Sequence, residues 1–339
     1  MNKILFLGAV LINSIVFAYD PVLVSHRDFQ AVHADGTSSF DDSGPFQVVL
    51  QGILLNNPED WLDPAPNSRV APWFMGGQWE IFVQGEGLDH AGTACWIGQN
   101  YANGPGDFSY TNEQWLAEVY RLNHDPGTGY VFHQGDRVRI TGTYLFYAGK
   151  LNINENHETD PVFDFKIELI KPGVGLARPD EIHISDLKNP DNSEIFDPER
   201  KIGCEYYQCC RVRIEDVNII DPQKWGIGNT VTIKDSRGLT FPVRLGRGAG
   251  ISQYPCPSGQ IDVIGIIDQK SPGYPPDPTK GYRLLVFNYN GNKLVLGDTG
   301  KLRSNLPGDV NHDYIVDMRD LLELTENWLK RIAGLYNSK

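Results

Sequence analysis

The sequence predicts a mainly β protein made of two copies of one β-unit, with a small loop-and-helix module after them. Three observations lead there. Glycine (35) and proline (22) are frequent enough to cut the chain into short elements joined by turns. Apolar residues gather in short runs of strand length, and the order of those runs repeats once. With 339 residues, 40% hydrophobic and 22% charged, the chain is too apolar for wholesale disorder and too long for one small module.

The chain opens on MNKILFLGAVLINSIVFA, residues 1–18: Lys3, an apolar run from Ile4, then Val16 and Ala18 at the positions a signal peptidase reads. The run is interrupted by Asn13 and Ser14 and falls short of the roughly 20 residues of a membrane span. A cleaved signal peptide is therefore expected, leaving no membrane span in the mature chain. No cysteine follows the run to accept lipid. The product is expected to be soluble and secreted, either extracellular or periplasmic.

The first unit is expected over 19–172. Strand-like runs lie at Phe46–Leu55, Trp79–Val83, Thr93–Ile97, Asp136–Phe146 and Phe163–Ile170. One helix is expected between the third and fourth, at Asn112–Leu122, with Trp115, Leu116, Val119 and Leu122 on its apolar face. The second unit, 180–297, runs through Cys210–Ile220, Asn229–Lys234, Leu239–Leu245, Gln260–Asp268 and Tyr282–Phe287, with a closing strand at Lys293–Leu296. Each unit has a short prelude, Val24–Val32 in the first and Ile182–Leu187 in the second, and the joint falls near Lys171–Pro179.

Five strands with a helix or long loop between the third and fourth follow the order of an OB-fold, a five-stranded partly open barrel. The run GDRVRITGTYLFYAGKLNI, Gly135–Ile153, resembles the fourth and fifth strands of bacterial extracytoplasmic OB-fold domains. IDVIGIID, Ile261–Asp268, takes the same place in the second unit, and NTVTIKDSRGLTFPVRLG, Asn229–Gly246, resembles the family's second and third strands. The expected fold is thus two tandem OB-fold-like five-stranded barrels.

The tail carries GDVNHDYIVDMRDLLELTENWL, residues 308–329. Asp309, Asn311, Asp313, the Ile315 carbonyl, Asp317 and Asp320 take positions 1, 3, 5, 7, 9 and 12 of an EF-hand loop, the oxygen spacing that suits Ca²⁺. Leu321, Leu324, Trp328 and Ile332 then mark one amphipathic helix. The segment 306–332 resembles one half of a type I dockerin, which implies Ca²⁺ as cofactor and a cohesin-like receptor as partner. It departs from the pattern in having a single repeat and in placing Tyr314 where the turn favours glycine. Intramolecular docking against the β-units, or a terminal sorting tag, is the alternative use of such a half repeat.

Charge separates the units. The whole chain carries −13, which argues against general attraction to nucleic acid or anionic lipid. Residues 46–172 hold 7 basic and 16 acidic side chains, whereas residues 204–297 hold 11 and 8. A polyanion partner, single-stranded nucleic acid or an acidic glycan, therefore belongs to the second unit. Thr232, Lys234, Arg237 and Arg244 are its candidate ligand residues, on the second and third strands that OB barrels use for binding. Tyr144, Tyr147, Trp73 and Trp79 are candidate stacking aromatics that core packing explains equally well.

Catalytic signals are sparse. There is no H-E-x-x-H, no G-x-S-x-G and no phosphate-binding loop. His90 beside Cys95 is read as a core thiol near a histidine, and pairs such as Asp107 with Glu113 or Glu155 with Glu158 arise freely among 43 acidic residues. The five cysteines, in an oxidising compartment, suggest a bridge from Cys204 or Cys209 to Cys256, while C-x4-C-C lacks the second half of a zinc site. The function these features imply is a non-enzymatic binding or scaffold protein for assembly outside the cell. The alternative is an accessory subunit of extracellular polysaccharide-degrading or nuclease machinery.

Overall fold

The computed structural model describes residues 20–58, 78–99, 110–154, 164–176 and 178–297, together with position 325. The expected signal peptide, the calcium-loop ligands and Trp73 lie outside these residues, as do Asp107, Glu155 and Glu158.

The protein is mainly β. The first unit contains β1 (Val22–Leu23), α1 (His26–Phe29), β2 (Val48–Leu54), β3 (Gln78–Gln84), β4 (Gly92–Gly98), α2 (Asn112–Asn123), β5 (Arg137–Gly142), β6 (Tyr144–Tyr147), β7 (Lys150–Ile153) and β8 (Lys166–Lys171). The second contains β9 (Asp180–Ile182), α3 (Gly203–Tyr206), β10 (Arg211–Ile219), β11 (Thr230–Lys234), β12 (Thr240–Leu245), α4 (Ala249–Gln253), β13 (Ile261–Gln269), β14 (Tyr282–Val286) and β15 (Val295–Leu296). Among the described residues, no helix is long and apolar enough to cross a membrane.

The second unit closes into a five-stranded barrel, because β10 pairs with both β11 and β13 while β12 runs parallel to β14. The ring order β10-β11-β12-β14-β13, with α4 between its third and fourth strands, is consistent with an OB-like barrel. In the first unit β2, β3, β4 and β7 follow in the same order, again with a parallel pair, β4 with β7. The fourth strand is here divided: β5 pairs with β2, Thr143 intervenes, and β6 pairs with β7. Thr143 bridges the division by donating its hydroxyl to the Asn154 carbonyl at 2.7 Å.

One expected strand changes role. The run near Phe163–Ile170 forms β8, but it lies outside the β2–β7 series as an edge strand on β5, and the fifth-strand position is filled by β7. The preludes match across the units: β1 runs parallel to β2 and β9 parallel to β10. α2 follows the expected helix closely, and Thr111 and Gln114 form a capping box that fixes its start.

Each unit buries its own core, Trp79, Trp115, Phe165 and Val138 in the first, Phe241, Tyr282, Val243 and Val263 in the second. A third apolar cluster joins them, bringing Phe82 and Ala94 against Cys209, Ile266, Leu285 and Phe287. Strand periodicity explains the division. Trp79, Ile81 and Val83 of β3 point into the first core, so Glu80 and Phe82 point outward. Ile261, Val263 and Ile267 of β13 point into the second core, so Ile266 and Asp268 point outward. The two outward faces meet and are buried on each other.

The five cysteines are free thiols. The expected bridge to Cys256 is not formed: Cys204 is buried in the second core, Cys209 belongs to the joining cluster, and Cys256 is half-buried beside the Pro257 carbonyl. Burial, the leading influence on each, pushes the Cys204, Cys209 and Cys210 thiols well up, which suits inert apolar packing.

Candidate functional site

The outward faces do not pack flush over their whole length. At the ends of β3 and β4, where the β6–β7 hairpin leans over β13, they leave a cleft of about 310 Å³. From the first unit it is lined by Glu80, Trp96, Tyr147, Lys150 and Asn154, and from the second by Arg244, Lys270 and Arg283. In the first unit's strand order, this is the face of the second and third strands and the loop between the fourth and fifth, the part of OB-like barrels that takes oligonucleotides and oligosaccharides.

The hairpin is positioned by its turn. Ala148 and Gly149 have φ of 56° and 98°, the two positive values that a two-residue hairpin turn with matching twist requires. A Cβ at Gly149 would meet the Gln269 carboxamide at 2.3 Å, so only glycine permits this approach. Gln269 cannot give way, because its Nε2 donates to the Pro278 carbonyl at 2.6 Å and its Oε1 accepts from Gln208 at 2.8 Å. Ser271 N donates to the Ala148 carbonyl at 3.0 Å and completes the dock.

At the floor lies a buried charge cluster. Lys150 Nζ of the first unit donates to Asp268 Oδ1 of the second at 2.5 Å and to the Gln269 carbonyl at 3.0 Å. Arg283 reaches Asp268 Oδ2 from Nε at 2.8 Å and from Nη2 at 2.7 Å. Burial opposes the Asp268 charge, but Lys150 and Arg283 outweigh it and hold its pKa below the usual carboxylate range. Lys150 is likewise held charged, since Asp268 and Glu80 more than offset its burial. Glu80 sits opposite Trp96 across the β3–β4 ladder, and burial, followed by the Asp268 charge, pushes its pKa up to about 7.

Two residues that line the cleft each carry a buried polar atom without a partner among the described residues. Asn154, 3% exposed, has its Oδ1 buried without a hydrogen bond, and Arg244 has its Nε in the same condition. Leaving a buried polar group unsatisfied costs about 1–3 kcal/mol. Among the described residues Arg244 also has no acid partner, and burial together with the neighbouring Arg283 and Arg247 lowers its pKa. The cleft therefore holds four cations, Lys150, Arg244, Lys270 and Arg283, against one lining carboxylate, Glu80, and among the described residues Lys150 and Arg283 are the two that are ion-paired, both to Asp268 beneath.

Of the residues singled out in the sequence, Arg244 lines this cleft. Thr232 and Lys234 share the outer face of β11, but Thr232 is engaged with Asp221, its N donating at 2.6 Å and its hydroxyl at 3.0 Å, and Lys234 is exposed. Arg237 sits in the following turn and donates to Ser185 at 3.1 Å. Tyr147 is on the cleft rim, 62% exposed; Trp79 is a core residue whose indole donates to Asn123 at 2.7 Å; Tyr144 packs edge-on against Phe29 and Phe40. His90 bonds Asp180 at 2.8 Å and stacks on Tyr206, and Cys95 is buried in the first core.

No family model matches this chain, and no curated protein does. The site must be read from its own chemistry.

Glu80, Trp96, Lys150, Asp268, Lys270 and Arg283 were not singled out in the sequence. Their signal was present in the alternation: WEIFV and IDVIGIID carry charge and bulky apolar side chains on the same, supposedly solvated face. A face with Phe82 and Ile266 on it demands a cover, and the charged residues in line with them then lie at the edge of that cover.

Proposed function

We propose that the chain is an exported, non-enzymatic binding protein that seats an anionic ligand in the cleft between its two OB-like units. A C-terminal calcium loop, Asp309 to Asp320, serves attachment to a surface assembly through a cohesin-like receptor. The observation that supports the binding reading is the half-buried Arg244 in the cleft, without an acid partner among the described residues and beside two further arginines, a charge that an anionic ligand would neutralise. The attachment reading rests on the ligand spacing of the tail sequence alone.

The binding reading is tested with the full mature chain on an array of acidic and neutral oligosaccharides and single-stranded oligonucleotides, beside Arg244→Gln. Retention of anionic probes that the substitution abolishes is the expected result. An array on which no anionic probe is retained, or on which the variant behaves as the wild type, overturns it. The tail is tested by calorimetry of the same chain with Ca²⁺, where Asp309→Asn with Asp313→Asn should remove the heat of binding; absence of heat at millimolar Ca²⁺ overturns the ion site.

A further inference from the structure

We propose that the cleft is a receptor for the carboxylate and ring of an acidic sugar, a uronate residue of a glycan, with Arg244 and Lys270 taking the carboxylate. This rests on the binding reading above and specifies its ligand.

The arrangement of charge separates a uronate from a nucleic acid. Affinity for nucleic acid comes from many cations spread along a groove, each neutralising a phosphate. Here one cleft holds a few cations and no row of them is described along a groove. Lys150 and Arg283 are committed to Asp268, so Arg244 and Lys270 are the cleft cations without an acid partner among the described residues. Two cations without an acid partner among the described residues, in a cleft of about 310 Å³, suit one compact anion on a ring.

The rest of the lining fits hydroxyls and a sugar ring. Asn152 and Asn154 also line the cleft and bring carboxamides, which carry both donors and an acceptor suited to ring hydroxyls. Glu80, facing the cleft with a pKa near 7, accepts from hydroxyls when ionised and donates when protonated, so it tolerates a neutral polar group over a wide pH range. When ionised it repels a carboxylate set beside it, and Arg244, which is not among the cations acting on Glu80, is then the main receptor of the ligand's charge. Trp96 and the exposed Tyr147 supply aromatic surface on which the apolar face of a pyranose stacks. Lys150, by contrast, is spent on the floor and holds the two units together.

The test is titration calorimetry of the full mature chain with three uronate oligomers, a galacturonate, a mannuronate–guluronate and a glucuronate-containing one. Each is compared with its methyl ester and with a ten-residue oligothymidylate. At least one uronate should bind, weaken tenfold or more on esterification and on Arg244→Gln, and weaken threefold or more on Lys270→Ala, whose exposed position leaves folding untouched. Equal binding of the ester, or binding that ignores both substitutions, overturns the proposal. Arg244-dependent binding of the oligothymidylate with no uronate bound overturns the sugar while sparing the cleft as the binding site. If none of the anions binds, both readings are overturned.

Discussion

The two β-units share a strand order and differ in the course of the fourth strand. In the second unit β13 is continuous over nine residues, pairing with β10 at one end and β14 at the other. In the first unit the same strand breaks at Thr143, and its far half becomes the β6–β7 hairpin that reaches the second unit. They differ in charge as well: the acidic unit contributes Glu80 and Lys150 to the cleft, and the more basic one contributes Arg244, Lys270 and Arg283. The shared strand order supplies the frame, and the differences between the units shape the cleft. Neither unit holds it alone.

The largest effect is expected where the halves are tied by charge. Asp268→Ala leaves Lys150 and Arg283 buried and unneutralised, and should lower the unfolding free energy by about 3–5 kcal/mol in urea denaturation. The paired change Lys150→Met with Asp268→Leu removes both charges and should recover most of that loss. Equal losses in the single and paired variants would mean that the junction is held by apolar packing of Phe82, Ile266 and Leu285 alone.

A steric break ranks second. Gly149→Ala combines a φ of 98° with a contact of 2.3 Å to a fixed side chain, and should cost roughly 2–3 kcal/mol. Gly129, also at positive φ but with nothing within 4 Å, gives the internal comparison: Gly129→Ala pays the backbone strain alone, about 1 kcal/mol. The difference between the two midpoints measures the closeness of the hairpin dock.

Much of the frame was legible because it is local. Strand lengths, the α2 helix and both preludes follow from period-two or helical patterning and turn residues that need no partner to be read. The fifth strand of the first unit was harder: KLNI is four residues long and all buried, so it has no alternation to mark it, while the longer run ending at Ile170 does. The cleft was the hardest. Its residues come from β3, β4, β7, β12, β13 and β14, and only the packing of one unit on the other brings them together. Arg244 was found by its strand; its unpartnered state is a tertiary fact.

Two buried groups of the first unit give opposite responses to pH. Glu80 has a folded pKa of about 7, above the usual carboxylate value of 4.5, so the folded state binds the extra proton and stability falls as pH rises from 4.5 to 7. His26, buried and bonded to Thr93 at 2.9 Å, is lowered to about 4, so stability is full above pH 6.5 and is lost as pH falls toward 4. Glu80→Gln should therefore exceed the wild type at pH 8 by on the order of 2 kcal/mol and match it near pH 4.5. His26→Gln should flatten the acid limb. Denaturation at pH 4.5, 6 and 8 separates the two, and unchanged slopes in both variants would place these groups in water in solution.

The smallest expected effect on stability discriminates most about function. Arg244 gives the fold little: among the described residues it has no acid partner and its buried Nε has no hydrogen bond, and two arginines lie beside it. Its replacement by glutamine relieves repulsion and keeps a polar end group, so the ligand-free protein should gain about 0.5 kcal/mol while anion binding is lost. Its strand neighbour across the ladder, Thr230, is exposed, and Thr230→Val should change neither property. A residue kept for packing behaves the other way, since its removal destabilises the chain whether or not a ligand is present. If Arg244→Gln lowers the melting temperature and leaves probe binding intact, Arg244 is structural and the cleft loses its anion receptor. A gain in stability coupled to loss of binding is the pattern of a group that the frame carries at a cost for the sake of what it binds.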